Sequence, residues 1–384
     1  MKKRKGFTLI ELLAVIVVLA IIALIATPIV MNTIKKSKKG AAERSAENYI
    51  DAVETAVATK RLDNVILEGE YVIQPDGNLC PTSGCGENDK DKVIIEMEGN
   101  KPTGGTIAIK DGQVTTDSKM IVGEYGVSYD EGAKKYTAVR SYKNGEVVYF
   151  NVTTGTKCSS SDYTETQSNT GVKKGCMKFY AFNDDGGGTV NLLLDHNTTA
   201  TVAWNSSGSN TSGPSEVLTQ LNDDTKSWVG TETPSNYTMD QTGQPSNAKY
   251  TIDYSDYKAR LITANEIAQI TGNTTWDEKI AANIGRYYFD SKTTSASTTC
   301  KSGNTTGCKY GWLYDRTHKG CTTYGCLNNS DVTTFGYWTA SSRAGSSNRA
   351  WDVNYDGYVS DNVVSHSSAC GVRPVITVLR SKLS

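Results

Sequence analysis

Histidine is scarce in this chain of 384 residues: only His196, His318 and His366 occur, far apart in sequence. That leaves little material for a zinc centre or for a nucleophile relayed through imidazole. An excess of either charge is also missing, with 40 Lys+Arg against 41 Asp+Glu, which argues against a general polyanion binder. Phenylalanine is rare at 6, whereas tyrosine reaches 21 and glycine 35; with abundant Ser, Thr and Asn, this is the composition of a β-rich, polar-surfaced protein. Long apolar runs are missing everywhere but in one place, which excludes a multi-span membrane protein. Cysteine is absent from the first 79 residues, although the chain carries 9. The length allows roughly two or three folding units.

The one apolar run is Phe7 to Met31, FTLIELLAVIVVLAIIALIATPIVM, with Glu11 as its single ionisable side chain. As a helix it is about 37 Å long, enough to cross a hydrocarbon core of about 30 Å. It is too long for the apolar region of a cleaved signal peptide, and no small-x-small site follows it. Thr27-Pro28-Ile29 passes directly into a charged amphipathic continuation, so the segment is expected to be retained. Lys2, Lys3, Arg4 and Lys5 on one side face Lys35, Lys36, Lys38 and Lys39 on the other, so charge leaves the orientation open. A carboxylate inside such a run is costly and calls for a partner. Pro28 removes one backbone bond and can kink or locally melt the helix.

The context of Glu11, Lys3-Arg4-Lys5-Gly6-Phe7-Thr8-Leu9-Ile10-Glu11-Leu12, closely resembles the class III leader of type IV prepilins and pseudopilins. The resemblance covers about the first sixty residues. It implies cleavage by a prepilin peptidase between Gly6 and Phe7, with N-methylation of the new Phe7 amine. It also implies that Glu11 pairs with the Phe7 amine of a neighbouring subunit, and that Pro28 lies near the point where assembled subunits often open. The partners implied are other pilin subunits, the prepilin peptidase, a pilus assembly platform and, before assembly, the cytoplasmic membrane; no cofactor is implied. Loss of the four leader cations would leave 36 Lys+Arg against 41 Asp+Glu, a formal side-chain charge of −5, which weakens a nucleic-acid reading further.

From Ile34 to Arg61 the apolar residues Ala41, Ala42, Ala46, Ile50, Val53, Ala56 and Val57 recur at spacings of three and four, with Glu43, Arg44, Glu47, Asp51 and Glu54 between them. This pattern predicts one long helix from about Phe7 to Lys60, its second half amphipathic. From Glu70 the texture becomes strands and turns: Tyr71–Ile73, Val93–Met97, Gly105–Lys110, Gln113–Thr115 and Lys119–Val122, with Asp111-Gly112 as a hairpin signal. The expectation is an antiparallel sheet laid on the helix, which resembles the pilin head.

A second unit is expected from about Lys143, where Asn144-Gly145 precedes the strand pattern Val147–Val152. Lys178–Phe182, an Asn183–Gly188 turn and Thr189–Leu194 follow. Pro214 precedes a short helix, and Thr263-Ala264-Asn265-Glu266 fits a capping box opening another that Gly272 can stop. Tyr337–Ala340, Ala350–Asn354 and Gly371–Val378 are further strand candidates. The series Val190–Asp195, Arg260–Thr263, Tyr337–Ser341, Ala350–Val353 with Gly357 following, and Gly371–Ile376 is similar to a domain common in secreted and surface proteins of Firmicutes, distantly related to C-type-lectin-like and formylglycine-generating-enzyme-like folds. The resemblance implies a display or ligand-contact module; it does not imply catalysis. A copper-binding cysteine pair has no counterpart, and the Trp-Asn-Asp and Glu-Pro-Asn signatures of calcium-dependent lectins are missing.

The fold expected is therefore α+β: a leader at 1–6, an assembly helix at 7–61, a pilin β-sheet head at 62–142 and a second, lectin-like α+β domain at 143–384. Cys80 with Cys85, Cys158 with Cys176, Cys300 with Cys308, and Cys321 with Cys326 flank polar loops. Closing each loop by a disulfide would contribute about 2–3 kcal/mol in an exported protein. A zinc reading of the last four lacks two-residue knuckles; Cys370 is left over. Asp352, Asn354 and Asp356 match the opening of a calcium-binding EF-hand loop, but Val363 stands where its last carboxylate should fall, and Asp356-Gly357 also reads as a hairpin turn. Asn183–Gly188 carries the same ambiguity. The function expected is a type IV pilus subunit, minor or at the tip, displaying its C-terminal domain toward a host or surface ligand. A pseudopilin of a secretion or DNA-uptake machine is the alternative, and a surface enzyme a third reading for which no catalytic residues are visible.

Overall fold

The structure, a computed structural model, describes residues 9–82, 85, 91–163, 175–184, 186–198, 201–273, 287–290, 300, 307–314, 336–368 and 370–383. It divides the chain into two compact units, Met1–Ser141 and Tyr142–Ser384. Both combine helix with sheet, and the molecule is α+β, mostly strands with few helices.

The first unit opens with α1, Leu9–Leu62, a single helix of 54 residues that passes through Pro28 without a break. Its length is about 81 Å at the usual rise. The side chains of Glu11 and Pro28 lie outside the described residues. Among the described residues, no helix is long and apolar enough to cross a membrane. The second half of α1 buries Ala42, Ala46, Tyr49, Val53 and Val57, a stripe at spacings of three and four.

This stripe packs on an antiparallel sheet built from β1 (Gly69–Ile73), β2 (Leu79–Pro81), β3 (Gly104–Lys110), β4 (Gln113–Val114), β5 (Lys119–Val122), β6 (Tyr125–Asp130) and β7 (Lys135–Arg140). The order is β2-β1-β3-β5-β6-β7, with β4 folded back on β3. Asp111 and Gly112 turn the β3–β4 hairpin with φ of 55° and 86°, the doubly left-handed turn the dipeptide is suited to.

The structure of this unit departs from expectation at several points. Val93–Met97 is not a strand: only Val93 bridges, to Leu79. β6 and β7 fall where no strand was expected. Glu43 and Glu54, which the sequence sets between the apolar positions of the helix, turn to the sheet, where Ala138 N donates to Glu43 Oε1 (3.0 Å) and Val114 N to Glu54 Oε1 (3.1 Å). Tyr49, which the apolar spacing passed over, is fully buried and donates its hydroxyl to Gly77 O at 2.9 Å.

The second unit holds a six-stranded antiparallel sheet of β8 (Glu146–Asn151), β9 (Thr156–Lys157), β10 (Cys176–Phe182), β11 (Thr189–Leu194), β12 (Thr231–Glu232) and β20 (Val375–Leu379), ordered β12-β20-β11-β10-β8-β9. A five-stranded sheet runs β15-β18-β17-β16-β19, from Tyr287–Tyr288, Tyr358–Val363, Arg349–Asn354, Gly336–Ser342 and Cys370–Gly371, and β13 (Tyr237–Asp240) pairs with β14 (Lys249–Ile252) as a ribbon. Among the described residues of this unit the α-helices are α2 (Ser215–Thr225) and α3 (Ala264–Thr271). Aromatic side chains fill the interior, with Trp204, Trp228, Trp338 and Trp351 all fully buried.

The stretch expected as one strand, Gly371–Val378, is split. Cys370–Gly371 pairs in parallel with β16, and Val375–Leu379 pairs antiparallel with β11 in the other sheet. Pro374 cannot donate to a ladder and stands at the break. Helix α3 has the capping box expected of it: Glu266 N donates to Thr263 Oγ1 (3.1 Å), Thr263 N donates to Glu266 Oε2 (2.9 Å), and Gly272 closes the helix with φ 73°. Thr263→Ala should lower the stability of this unit by about 1 kcal/mol, read as an earlier urea midpoint in tryptophan fluorescence.

Candidate functional site

The chemistry available to this chain is concentrated in two places, one in each unit. In the first unit it is the start of α1. Gly6 and Phe7 lie outside the described residues, while Glu11 and Pro28 occupy positions in the helical backbone of α1. Beyond them α1 carries Lys38, which pairs with Glu124 at 3.2 Å, and Lys39, which pairs with Glu43 at 3.8 Å. Both are exposed contacts of small energetic weight.

In the second unit a polar cleft of about 380 Å³ opens over the edge of the six-stranded sheet. Backbone pairing sets Asn191 of β11 opposite Thr377 of β20, and Thr377 Oγ1 donates to Asn191 Oδ1 at 3.0 Å. Arg260 is held beside them because its backbone bridges Val375 in both directions. Its guanidinium meets Glu266 from the first turn of α3 in a two-pronged contact, Nη1 to Oε2 at 2.8 Å and Nη2 to Oε1 at 2.7 Å.

Burial works against the Arg260 cation, but the Glu266 carboxylate outweighs it and holds the guanidinium more firmly protonated than usual. The floor is completed by Leu261 and Tyr254, whose hydroxyl accepts from Leu261 N at 3.2 Å. Burial pushes the Tyr254 phenol well above its ordinary range. The loop after β12 supplies Thr233, Pro234, Ser235 and Asn236. The capping-box residues were legible in the sequence; the convergence of Asn191, Tyr254, Arg260 and Thr377 was not, because strand register brings it about.

The remaining expected site residues are placed as follows. Cys80–Cys85, Cys158–Cys176 and Cys300–Cys308 are disulfides, while Cys321 and Cys326 lie outside the described residues. Asp290 stands near Cys300 and Cys308, but those sulfurs are joined to each other and offer no thiolate to a metal. Cys370 is a buried free thiol whose pKa is pushed up by burial and by Asp352.

Of the two readings of Asp352, Asn354 and Asp356, the structure takes the hairpin. Strand β18 already begins at Tyr358, Asp356 N donates to Asn354 Oδ1 (3.0 Å), and Gly357 adopts φ 79°. Asp352 is buried and accepts from Asn362 Nδ2 at 3.2 Å. In the Asn183–Gly188 turn, Asp184 is engaged by Arg380 and by the backbone N–H of Tyr142 and Gly186, so its charge is met by protein groups.

Residues 1–27 match the prokaryotic N-terminal methylation motif. The match supports a type IV pilin-like prepilin leader, and with it a pilin or pseudopilin-like surface protein. Such a leader implies pilin subunits and a prepilin peptidase as partners, and a membrane-anchored state that precedes the surface one. No curated protein matches the chain, and no solved structure does either.

Proposed function

We propose that the chain is a type IV pilus subunit, minor or at the tip, which polymerises through its N-terminal helix and displays its C-terminal unit for adhesion. One observation carries the reading: the methylation motif at residues 1–27 runs straight into an unbroken helix, Leu9–Leu62. Before cleavage the apolar part of α1 would anchor the chain in the cytoplasmic membrane; after cleavage it would pack in a filament core. The second unit, 243 residues long from Tyr142 to Ser384, is bulky for a subunit whose heads must pack side by side along a shaft, which favours a sparse or terminal position. Its role in this reading is display, not catalysis, and the lectin-like comparison rests on the sequence series alone. Gly6 and Phe7 would be the processing site, Glu11 and Pro28 the assembly residues.

Intact-mass and N-terminal peptide spectra of the cell-surface form should show a chain beginning at methylated Phe7. An intact Met1, or cleavage beyond Met31, would remove the pilin reading. Immunogold labelling against the C-terminal unit should then mark filament tips or scattered points. Label confined to the membrane would favour a pseudopilin acting in secretion or DNA uptake.

A further inference from the structure

We infer that the cleft between β11, β20 and the Arg260–Thr263 segment is a binding site for a short neutral saccharide. The inference rests on the display role proposed above and names the class of ligand displayed for. Its first ground is charge. Among the described residues that line it, the cleft has one cation and one anion, and they are spent on each other: both Nη atoms of Arg260 go to the two oxygens of Glu266. Glu266 accepts in addition from Thr263 N and Thr263 Oγ1. Among these residues a charged ligand would have to break a two-pronged ion pair to obtain a counter-ion.

The second ground is the strand edge. A peptide adding itself as a strand needs free backbone groups along that edge. Here Val375 exchanges both backbone bonds with Arg260, and Thr377 and Val378 are paired with Glu232 and Thr231 of β12. The edge facing the cleft is taken, so what the cleft offers is side chains.

Those side chains are the third ground. Asn191 spends its Oδ1 on Arg260 Nη2 (3.3 Å) and Thr377 Oγ1 (3.0 Å), which leaves the two N–H groups of its amide for a ligand. Thr189, Thr233 and Ser235 set exposed hydroxyls around the rim. Neutral donors and acceptors beside the half-buried ring of Tyr237 match the mixed hydroxyl and C–H surface of a sugar ring. The volume of about 380 Å³ lies at the small end of ligand sites and suits one or two rings.

The test uses the full chain in detergent, with lactose and N,N′-diacetylchitobiose as neutral probes and sialyllactose as the charged one, followed by saturation-transfer NMR and titration calorimetry. At least one neutral disaccharide should bind, and sialyllactose should not bind more tightly than lactose. Asn191→Ala should weaken binding about tenfold, the loss of one well-made hydrogen bond. The rim double variant Thr233→Val, Ser235→Ala, at exposed positions where folding is not at stake, should weaken it several-fold.

No binding of either neutral probe at about 10 mM, where even a millimolar site is filled, would overturn the inference. So would preference for the charged sugar, or unchanged affinity in both variants. Absent binding in a chain that still enters filaments sinks the cleft alone; intact binding in a chain that never enters them sinks the pilus reading alone.

Discussion

Glu11→Ala should leave leader cleavage intact and abolish entry into filaments. Glu11 is the only ionisable residue between Phe7 and Met31, and an isolated carboxylate in an apolar helix is tolerated only with a partner. In the assembled state proposed here that partner is the Phe7 amino terminus of the next subunit, a charge created by cleavage. Two opposite charges in a low-dielectric filament core stabilise each other strongly, and removing one leaves the other uncompensated, at a cost of about 3–5 kcal/mol. Per joint this is roughly a hundredfold to several-thousandfold in association, repeated at every contact the subunit makes.

Glu11→Gln separates charge from bulk: it preserves the volume and should fail nearly as badly. The measurement is the ratio of the chain in sheared filaments to the chain in membranes, with mass spectra confirming that both variants are cleaved before Phe7. Normal incorporation of either variant would remove the role assigned to Glu11.

How far such reasoning reaches from sequence alone depends on whether the determining residues are contiguous. The leader, the apolar run and Glu11 lie within a few turns of helix, so their chemistry could be read directly. The inward face of α1 was legible for the same reason, apart from Ala41, which is exposed, and Tyr49, whose polar hydroxyl disguised a side chain that is fully buried and finds its partner at Gly77. Local turn chemistry also carried through, in Asp111-Gly112 and in the Thr263–Glu266 box.

What failed was non-local. Strand β6 contains Gly126, and β7 begins and ends in basic residues; only pairing with each other and with β5 makes them strands. The sheet contacts of Glu43 and Glu54 were not legible because the N–H groups they satisfy belong to strands distant in sequence. The cleft in the second unit was invisible for the same reason. Asn191, Arg260 and Thr377 are drawn together by the β11–β20 ladder and the Arg260–Val375 bridge, and neither can be seen in any one segment.

Arg373 is the extreme case of such a hidden residue, and its substitution should unfold the second unit. In the sequence it was one polar residue within an expected strand, Gly371–Val378. In the structure it sits in the break between β19 and β20, fully buried. Its Nε donates to Leu194 O (2.6 Å), Nη1 to Leu313 O (2.6 Å), and Nη2 to Asp195 O (3.1 Å) and Trp312 O (2.8 Å). The guanidinium also lies 5.1 Å from the centre of the Tyr337 ring. One side chain thus closes the end of β11, the Gly311–Leu313 turn and the β19–β20 break into a single knot.

Arg373→Met keeps much of the stem and removes every donor. Leu313 O would keep the Tyr337 hydroxyl as a donor (2.9 Å), but each buried carbonyl left without any partner costs about 1–3 kcal/mol, so even with partial relaxation the total is a large share of the 5–15 kcal/mol by which a domain is stable. Arg373→Lys keeps the charge but cannot reproduce the planar fork, and should be damaging to a lesser degree. All 6 tryptophans, the first at Trp204, lie in this unit. Their fluorescence therefore reports its unfolding alone, while the first unit serves as an internal control followed through its disulfide-bonded peptide, Cys80–Cys85, by limited proteolysis. The expected order of denaturant midpoints is parent, then Lys, then Met, with the Met variant unfolded or nearly so in buffer; a Met variant that melts with the parent would show that the four carbonyls are satisfied without Arg373.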